Sequence, residues 1–248
     1  MAGHSKWKQI KRAKGVADAK RSQVFTRLGR EVSVAARAGG ADPEANPRLR
    51  LAIDRAREQN MPKDNIERAI KRATGEGGEG IIEEVVYEGY GPGGIAVLVQ
   101  ALTDNRNRTA SDVRNVFAKA GGSLGEAGSV AWQFELRGVI SIDAAGRDAD
   151  DLALLAIDAG AEDVQVAGTS VEVYTKPEAL EPVRRALTEA GITVESAEVA
   201  QVPKNTIMVD AKHAGQALRL LDNLDELDDV QRVASNADFP EEVLAAYA

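Results

Sequence analysis

Residues 138–203, GVISIDAAGRDADDLALLAIDAGAEDVQVAGTSVEVYTKPEALEPVRRALTEAGITVESAEVAQVP, decide the fold class of this chain. Their apolar periodicity alternates between the strand period of about 2 and the helix period of about 3.6. The predicted elements are a strand at 139–142, a helix at 148–159, strands at 163–167 and 170–175, a helix at 178–190 and a strand at 192–202. This β-α-β-β-α-β order is ferredoxin-like, and because the unit is complete in itself we predict an inserted domain.

The segments on either side predict a second α/β domain around this insertion. Residues 83–102, EEVVYEGYGPGGIAVLVQAL, are typical of two strands joined by a Gly-Pro-Gly-Gly turn. TASD at 109–112 has the form of a capping box that opens a helix, and SVAWQFEL at 129–136 alternates as a strand does. The alternation places Val130, Trp132, Phe134 and Leu136 on one face. A helix at about 211–223 and a strand near 229–234 are predicted to complete the sheet.

The first part of the chain predicts three helices. Helical spacing of apolar residues indicates a helix at 22–37, Asn46 and Pro47 are typical of an N-cap and a first helical residue, and DNIE at 64–67 is a capping-box pattern. The glycine-rich stretch at 75–80 predicts a flexible linker. We therefore predict an α+β protein of three domains: a basic helical domain at 1–78, an α/β domain at 79–136 plus 204–248, and the inserted ferredoxin-like domain at 137–203.

Charge is segregated along the chain. The 248 residues carry a net charge of −8, whereas residues 1–75 hold 18 Lys and Arg against 8 Asp and Glu, a net charge of +10. The remainder therefore carries −18. A basic segment joined to an acidic body indicates a polyanionic partner for the basic end, although a solvated basic helical domain would give the same count.

Several classes of chemistry lack the residues that they need. The chain has no cysteine, which excludes disulfides and thiolate metal sites and fits a reducing cytosol. Its two histidines, His4 and His213, lack metal-ligand spacing, and neither a nucleophile elbow nor a P-loop is present. No stretch resembles a signal peptide or a membrane span. We therefore predict a cytoplasmic, non-enzymatic protein with no metal, no cofactor and no small-molecule substrate.

The opening segment, MAGHSKWKQIKRAKGVADAKR at 1–21, surrounds one tryptophan with cations. Lys and Arg neutralise phosphates and release counterions, which gives affinity that does not depend on base sequence. Trp7 either stacks on an unpaired base or anchors the segment to the helical domain. The candidate nucleic-acid-binding residues in this part are His4, Ser5, Lys6, Trp7, Lys8, Lys11, Arg12, Lys14, Lys20, Arg21 and Arg27.

A second candidate is TDNRNRT at 103–109, which follows a strand and runs into a helix. Arg106 and Arg108 would lie beside unpaired N–H groups at the positive end of the helix dipole, which is a favourable phosphate site. The alternative is a polar loop in which Asp104 balances one of the arginines.

The third helix offers further cations. Lys63, Arg68 and Lys71 are candidates on its exposed side, as in the second helix of a helix-turn-helix. Glu67 interrupts this face, so contact with phosphates is a safer prediction than readout of bases.

The motifs GHSKW, NMPKDNIERAIKRATG, YEGYGPGG, ALTDNRNRTASDVRNVFAKAGGSLGEAGSVAW and LDDVQRVASNAD occur in this order. Together they resemble the YebC family of bacterial proteins, which includes a mitochondrial translational activator of cytochrome oxidase subunit I. The resemblance covers essentially the whole chain, and the start at Met1 just before GHSKW resembles the bacterial members. It implies a helical N-terminal domain, two α/β domains of which one is inserted in the other, and no enzymatic reaction.

The resemblance implies two functions on nucleic acids. Members are commonly labelled DNA-binding transcriptional regulators, and others act on the ribosome to ease elongation through difficult stretches such as proline runs. The expected partner is DNA or ribosomal RNA, with the large ribosomal subunit as a candidate. The residues favour structured RNA, because a basic arm with one tryptophan suits irregular RNA surfaces and no clear recognition helix or dimer interface is evident. A protein–protein adaptor that uses the acidic α/β domains is the alternative.

Overall fold

Apolar side chains at helical spacing pack three N-terminal helices against one another. The computed structural model describes residues 18–73, 82–144, 146–167 and 170–247. The helices are α1 (Asp18–Gly39), α2 (Pro47–Glu58) and α3 (Lys63–Ala73). Val32, Ala35, Leu49, Ile53 and Ile66 are buried in the core between them. The helical N-terminal region predicted from the sequence is therefore confirmed.

Asn46 joins the end of α1 to the start of α2. Its side-chain oxygen accepts the N–H of Leu49 at 3.1 Å, which is the N-cap interaction predicted from the sequence. Its amide nitrogen donates to the carbonyls of Ala35 and Gly40 at 2.8 Å each. One buried side chain thus satisfies backbone groups of two helices.

The second region is built on a four-stranded antiparallel sheet. Its elements are β1 (Glu83–Tyr90), β2 (Ala96–Thr103), α4 (Arg106–Lys119), β3 (Ser123–Leu124), α7 (Ala211–Asp225) and β9 (Val230–Ser235), and the strand order is β3-β1-β2-β9. Phe117 of α4 and Leu218 and Leu221 of α7 are buried in the core against one face of this sheet. The predicted hairpin turn is present, and Gly93 lies at its tip with φ 78°. β9 completes the sheet, as predicted from the sequence.

The end of the chain adds smaller elements to this region. They are β8 (Ile207–Met208), β10 (Ala237–Asp238) and α8 (Glu241–Tyr247). β8 and β10 pair in parallel as a separate two-stranded sheet.

The third region has the predicted ferredoxin-like order. Its elements are β4 (Phe134–Asp143), α5 (Ala149–Asp158), β5 (Asp163–Ala167), β6 (Ser170–Thr175), α6 (Leu180–Glu189) and β7 (Val194–Pro203). The strands lie in the order β5-β6-β4-β7 and are antiparallel, and Ile140, Leu152 and Leu187 are buried in the core that the two helices share with the sheet. The first and last strands are neighbours that pair from Phe134 opposite Pro203. This confirms an α/β unit inserted into another, while the domain boundaries at 78, 136 and 203 stay predictions.

Residues 129–136 do not form the strand that their alternation predicts. A single 3₁₀ turn precedes β4, which starts only at Phe134. Val130 and Phe134 are buried, whereas Leu136 is exposed and Trp132 is 67% exposed. The prediction that these four side chains lie on one face of a strand is therefore wrong.

The reason for the turn is a carboxylate from β1. Glu88 is buried, and its two oxygens accept the N–H groups of Gly128, Val130 and Ala131 at 2.7, 2.7 and 2.8 Å. Burial alone would raise the pKa of Glu88, but these three backbone donors outweigh it and hold the pKa below its usual value. The contact with a distant residue, and not the local alternation of apolar residues, therefore determines the backbone conformation here.

Two predicted helix starts also differ from the structure. α4 begins earlier than TASD predicts, because Asn105 is its N-cap and accepts the N–H of Arg108 at 3.1 Å. Thr109 consequently lies inside the helix and is buried. α3 begins before Asp64, which lies in the first turn, where a negative charge still favours the helix dipole.

Candidate nucleic-acid interface

The predicted interface divides into a part that the structure describes and a part that it does not. His4, Ser5, Lys6, Trp7, Lys8, Lys11, Arg12 and Lys14 lie outside the described residues. Lys20 and Arg21 lie in the first turn of α1. The described helical region, residues 18–73, holds 13 Lys and Arg against 8 Asp and Glu and so retains a net charge of +5.

The outer face of α3 carries charges of both signs. Lys63, Arg68 and Lys71 are exposed, as predicted, but Asp64 and Glu67 are exposed beside them. The Lys63 ammonium lies 3.4 Å from the Glu67 carboxylate. Acids on this face would meet DNA phosphates unfavourably, so the face suits point contacts with phosphates better than insertion into a major groove.

A groove of about 340 Å³, lined by both polar and apolar side chains, lies beside this face, between α1 and α3. Arg68 and Arg72 line it from α3 together with Asn65, and α1 contributes Ser22 and Thr26. Guanidinium, amide and hydroxyl groups are the side chains that contact phosphate and sugar most often. Sequence reasoning did not single out Ser22 and Thr26, because nothing distinguishes them from ordinary exposed residues of a helix.

Arg27 points inwards instead of towards solvent. Its guanidinium donates to the carbonyl of Asp225 and lies 3.7 Å from the Asp225 carboxylate, and its side chain is largely buried. Gln23 and Arg30, on the same side of α1, donate to the carbonyls of Glu226 and Asp228. We call this set of contacts between α1 and residues 225–229 the α1 clasp. Contact of Arg27 with phosphate stays a prediction. A phosphate would have to compete with Asp225 for the Arg27 guanidinium.

Arg108 is bound at the centre of an acidic site. Its guanidinium lies 2.8 Å from the carboxylate of Asp104 and 2.9 Å from that of Asp229. Arg30 of α1 reaches the same Asp229 carboxylate at 2.7 Å. The TDNRNRT segment therefore lies against the helical region. For Arg108 the structure agrees with the second interpretation of this segment, in which Asp104 balances the charge of one arginine.

Asp229 is the buried acceptor at the centre of this cluster, and sequence reasoning did not single it out. Its side chain is 8% exposed, and it accepts hydroxyl hydrogen bonds from Thr103 at 3.1 Å and Thr109 at 2.5 Å. Burial alone would raise its pKa, but the hydrogen bonds from Thr109 and Arg108 and the charge of Arg30 hold the pKa below its usual value. Its only signal in the sequence is its place in LDDVQRVASNAD, a motif that carries the family resemblance.

Arg106 is the accessible cation of the pair. Its side chain is 68% exposed and lies 3.9 Å from the carboxylate of Glu83, a separation at which the attraction is screened by solvent. It is the first residue of α4, and its carbonyl accepts the hydroxyl of Tyr87. Because the Asn105 side chain already takes one N–H of this helix end, fewer backbone donors remain for a phosphate than the sequence predicts.

The histidine and carboxylate side chains of the described residues do not form a metal site. Those residues contain no group of three or more histidine or carboxylate side chains that could hold a metal ion. His213 pairs instead with Asp210, which caps α7, at 2.8 Å. Within the described ranges, no helix is both long and apolar enough to cross a membrane.

The fold and the charge distribution define a class: a basic helical region joined to two acidic α/β regions, one of which is inserted in the other. Residues 5–76 match the TACO1/YebC protein N-terminal domain, and residues 82–237 match the TACO1/YebC second and third domain. The chain belongs to the TACO1/YebC family.

Relatives of this chain carry one recurrent name. A probable transcriptional regulatory protein of Dehalococcoides mccartyi is 56% identical over 247 residues, which is 100% of this chain and 98% of the relative. Another of that name, from Thermomicrobium roseum, is 53% identical over 99% of this chain and 100% of its own length. The crystal structure of a conserved hypothetical protein from Aquifex aeolicus is similar, with a TM-score of 0.82 and 48% identity over 92% of this chain and 94% of that one.

Proposed function

We propose that this protein is a non-enzymatic, nucleic-acid-binding regulator of gene expression. The observation that carries the proposal is the segregation of charge, with a net +10 in residues 1–75 and −18 in the rest. The exposed cations of α3 and the exposed Arg106 support it, because they lie at the surface, where phosphates can approach them. The name probable transcriptional regulatory protein, which the relatives carry, supports a regulatory role.

Two nucleic acids compete as the target. The names of the relatives favour DNA, whereas the mixed charge on the outer face of α3 favours point contacts on structured RNA over readout of a duplex. An acidic body of −18 repels a long polyanion, so only the basic end should touch it, as in a domain that enters a cleft of the large ribosomal subunit. We favour ribosomal RNA, with easing of elongation at proline-rich stretches as the function that the family resemblance implies.

Sedimentation separates the two targets. Lysate is fractionated at low and moderate salt, with and without nuclease, and binding to random and genomic duplex DNA is measured in parallel. If the protein co-migrates with the large subunit and nuclease abolishes this co-migration, the result would support ribosomal RNA as the target. A free protein that binds duplex DNA with sequence selectivity would support the transcriptional form and exclude the ribosomal one.

Charge reversal tests the interface itself. Lys63, Arg68 and Lys71 are replaced together by Glu, and the matched control replaces Lys119, Lys176 and Arg185, which are equally exposed but lie outside the helical region. We expect weaker binding and a shallower dependence of log K on log salt for the first variant only. The slope should fall by roughly 0.7–0.9 for each phosphate that the variant no longer neutralises.

The same pair of variants tests the adaptor alternative. A protein–protein adaptor that acts through the acidic regions should keep its function when the positive charges of α3 are replaced by negative ones. Circular dichroism must show that the variant keeps its fold. Equal salt slopes for both variants would show that the α3 cations do not meet phosphates. The opening lysines Lys6, Lys8, Lys11 and Lys14, replaced by Glu, extend the test to the segment outside the described residues.

A further inference from the structure

Helix α5 of the ferredoxin-like region is apolar on more than its inner side. Leu152 and Ala156 are buried in the core of this region, which accounts for one face. Leu154 and Ile157 lie three residues apart on the outer side and are 62% and 53% exposed. A surface helix normally carries polar residues on its outer side, so exposed leucine and isoleucine at these positions favour contact with a partner.

Two further large apolar side chains of the same region are exposed. Leu155, on the flank of α5, is exposed. Val166 is exposed on β5, the edge strand of the four-stranded sheet. We call Leu154, Leu155, Ile157 and Val166 the α5 face. A cluster of large exposed apolar side chains marks an interaction site more often than do isolated ones.

Acidic residues surround the α5 face. Residues 148–163 contain Asp148, Asp150, Asp151, Asp158, Glu162 and Asp163 and no Lys or Arg. The first three lie at the start of α5, where the helix dipole favours negative charge. Asp158 lies in the last turn, where the dipole disfavours it and where no basic residue compensates. The helix dipole therefore does not explain all of these acidic residues, which we call the acidic rim of the α5 face.

The rim restricts what can cover the face. A second copy packed helix to helix would bring two acidic rims together, and like charges in a desolvated interface are costly. A nucleic acid would be repelled for the same reason. A protein segment with apolar residues flanked by Lys and Arg satisfies both the apolar centre and the acidic rim.

We propose that the α5 face is a docking surface for a basic, apolar-faced helix or loop of another protein. The proposal does not depend on the nucleic-acid interface, because α5 belongs to a different region from the exposed cations of α3. A protein that itself binds nucleic acid has the required charge. Docking at α5 would then hold such a protein beside the nucleic acid that the helical region contacts.

A designed peptide tests the chemistry of the face. The probe is an amphipathic helix of about four turns made of Leu and Lys, and its control has the same Leu pattern with Glu in place of Lys. Fluorescence anisotropy against the full chain should give saturable binding for the Lys peptide only. Leu154→Ser/Ile157→Ser should weaken binding by at least about tenfold, since truncation of central apolar anchors has effects of this size. The matched control is Leu136→Ser/Met208→Ser, which alters exposed apolar residues elsewhere and should change nothing.

Charge variants and self-association complete the test. Asp150→Asn/Asp158→Asn should weaken binding of the Lys peptide and flatten its salt dependence. Equal binding of the Glu peptide, or affinity that Leu154→Ser/Ile157→Ser leaves unchanged, would overturn the proposal. Sedimentation equilibrium that shows a dimer in the wild type and a monomer in that variant would assign the face to a second copy and also overturn it. In cells, a photoreactive residue at position 154 should crosslink to another protein, and crosslinking to nucleic acid would refute the assignment.

Discussion

Replacing Asp229 by alanine should lower the free energy of unfolding by about 2–3 kcal/mol. Removing one partner from a fully buried ion pair costs about 3–5 kcal/mol, because the other charge is left without compensation. The cost is smaller here, since Arg108 keeps the Asp104 carboxylate at 2.8 Å and Arg30 keeps the carbonyl of Asp228. The substitution removes the charge that Arg30 faces and the acceptor for two buried threonine hydroxyls.

Urea unfolding followed by far-UV circular dichroism measures this destabilisation. Asp228→Ala is the matched control, because the Asp228 side chain is exposed and only its carbonyl takes part in the α1 clasp. We expect this control to lie within about 0.5 kcal/mol of wild type. A cycle with Arg30→Ala should return a coupling of about 1 kcal/mol or more between Arg30 and Asp229. If Asp229→Ala were as stable as Asp228→Ala, the assignment of Asp229 as the link between the two regions would be refuted.

Three further predictions concern pH and backbone capping. Because the pKa of Asp229 is lowered, its stabilisation is complete above the unfolded-state pKa of about 3.9 and is lost as the pH falls through the lower folded-state pKa. The stability gap between wild type and Asp229→Ala should therefore be constant from about pH 7 to 5 and shrink below about pH 4, and a gap that persists at lower pH would contradict this. Glu88→Gln should lower the free energy of unfolding, measured in urea, by about 2 kcal/mol, because an amide N–H then faces backbone donors. The control Glu126→Gln, at an exposed site, should lower it by less than about 0.5 kcal/mol. Similar values for the two variants would contradict the role of Glu88. Asn46→Ala should lower the free energy of unfolding by about 2 kcal/mol, and Asn46→Ser by about half of that, because serine restores only the N-cap. Equal losses for the two variants would argue against the two amide contacts.

Local periodicity was sufficient to predict most of the fold. In the ferredoxin-like region the predicted strands at 163–167 and 170–175 coincide with β5 and β6, because each is a short apolar run bounded by small or polar residues. Asn46 and Pro47 mark the start of α2 as predicted, since an N-cap depends on contacts within a few residues. Features that are decided by neighbours in the chain are thus visible in the sequence.

Features that depend on distant residues were not predictable in this way. The turn before β4 is held by Glu88, some forty residues earlier in the chain, and the alternation around Trp132 does not reveal it. Arg108 was correctly placed at a helix end, but its main partner, Asp229, is 121 residues away. The inward direction of Arg27 follows from docking of α1 on residues 225–229, which no local pattern encodes. From the sequence the candidate site is a set of cations, and only the structure separates the cations at the surface from those that are held against Asp225 and Asp229.

The pairing of Phe134 with Pro203 has a consequence for how this chain can change. Because the inserted unit leaves and rejoins its host on neighbouring strands, its two ends are separated by about one strand spacing, 4.7–4.9 Å. A tight turn can span that distance, so the host could close around a short hairpin in place of the entire unit. The same geometry lets another compact module be grafted at this point without stretching the host. Replacing the ferredoxin-like unit would therefore leave the chain path of the host sheet and of the helical region as it is, and would change the contacts that Arg232 of β9 makes with β7.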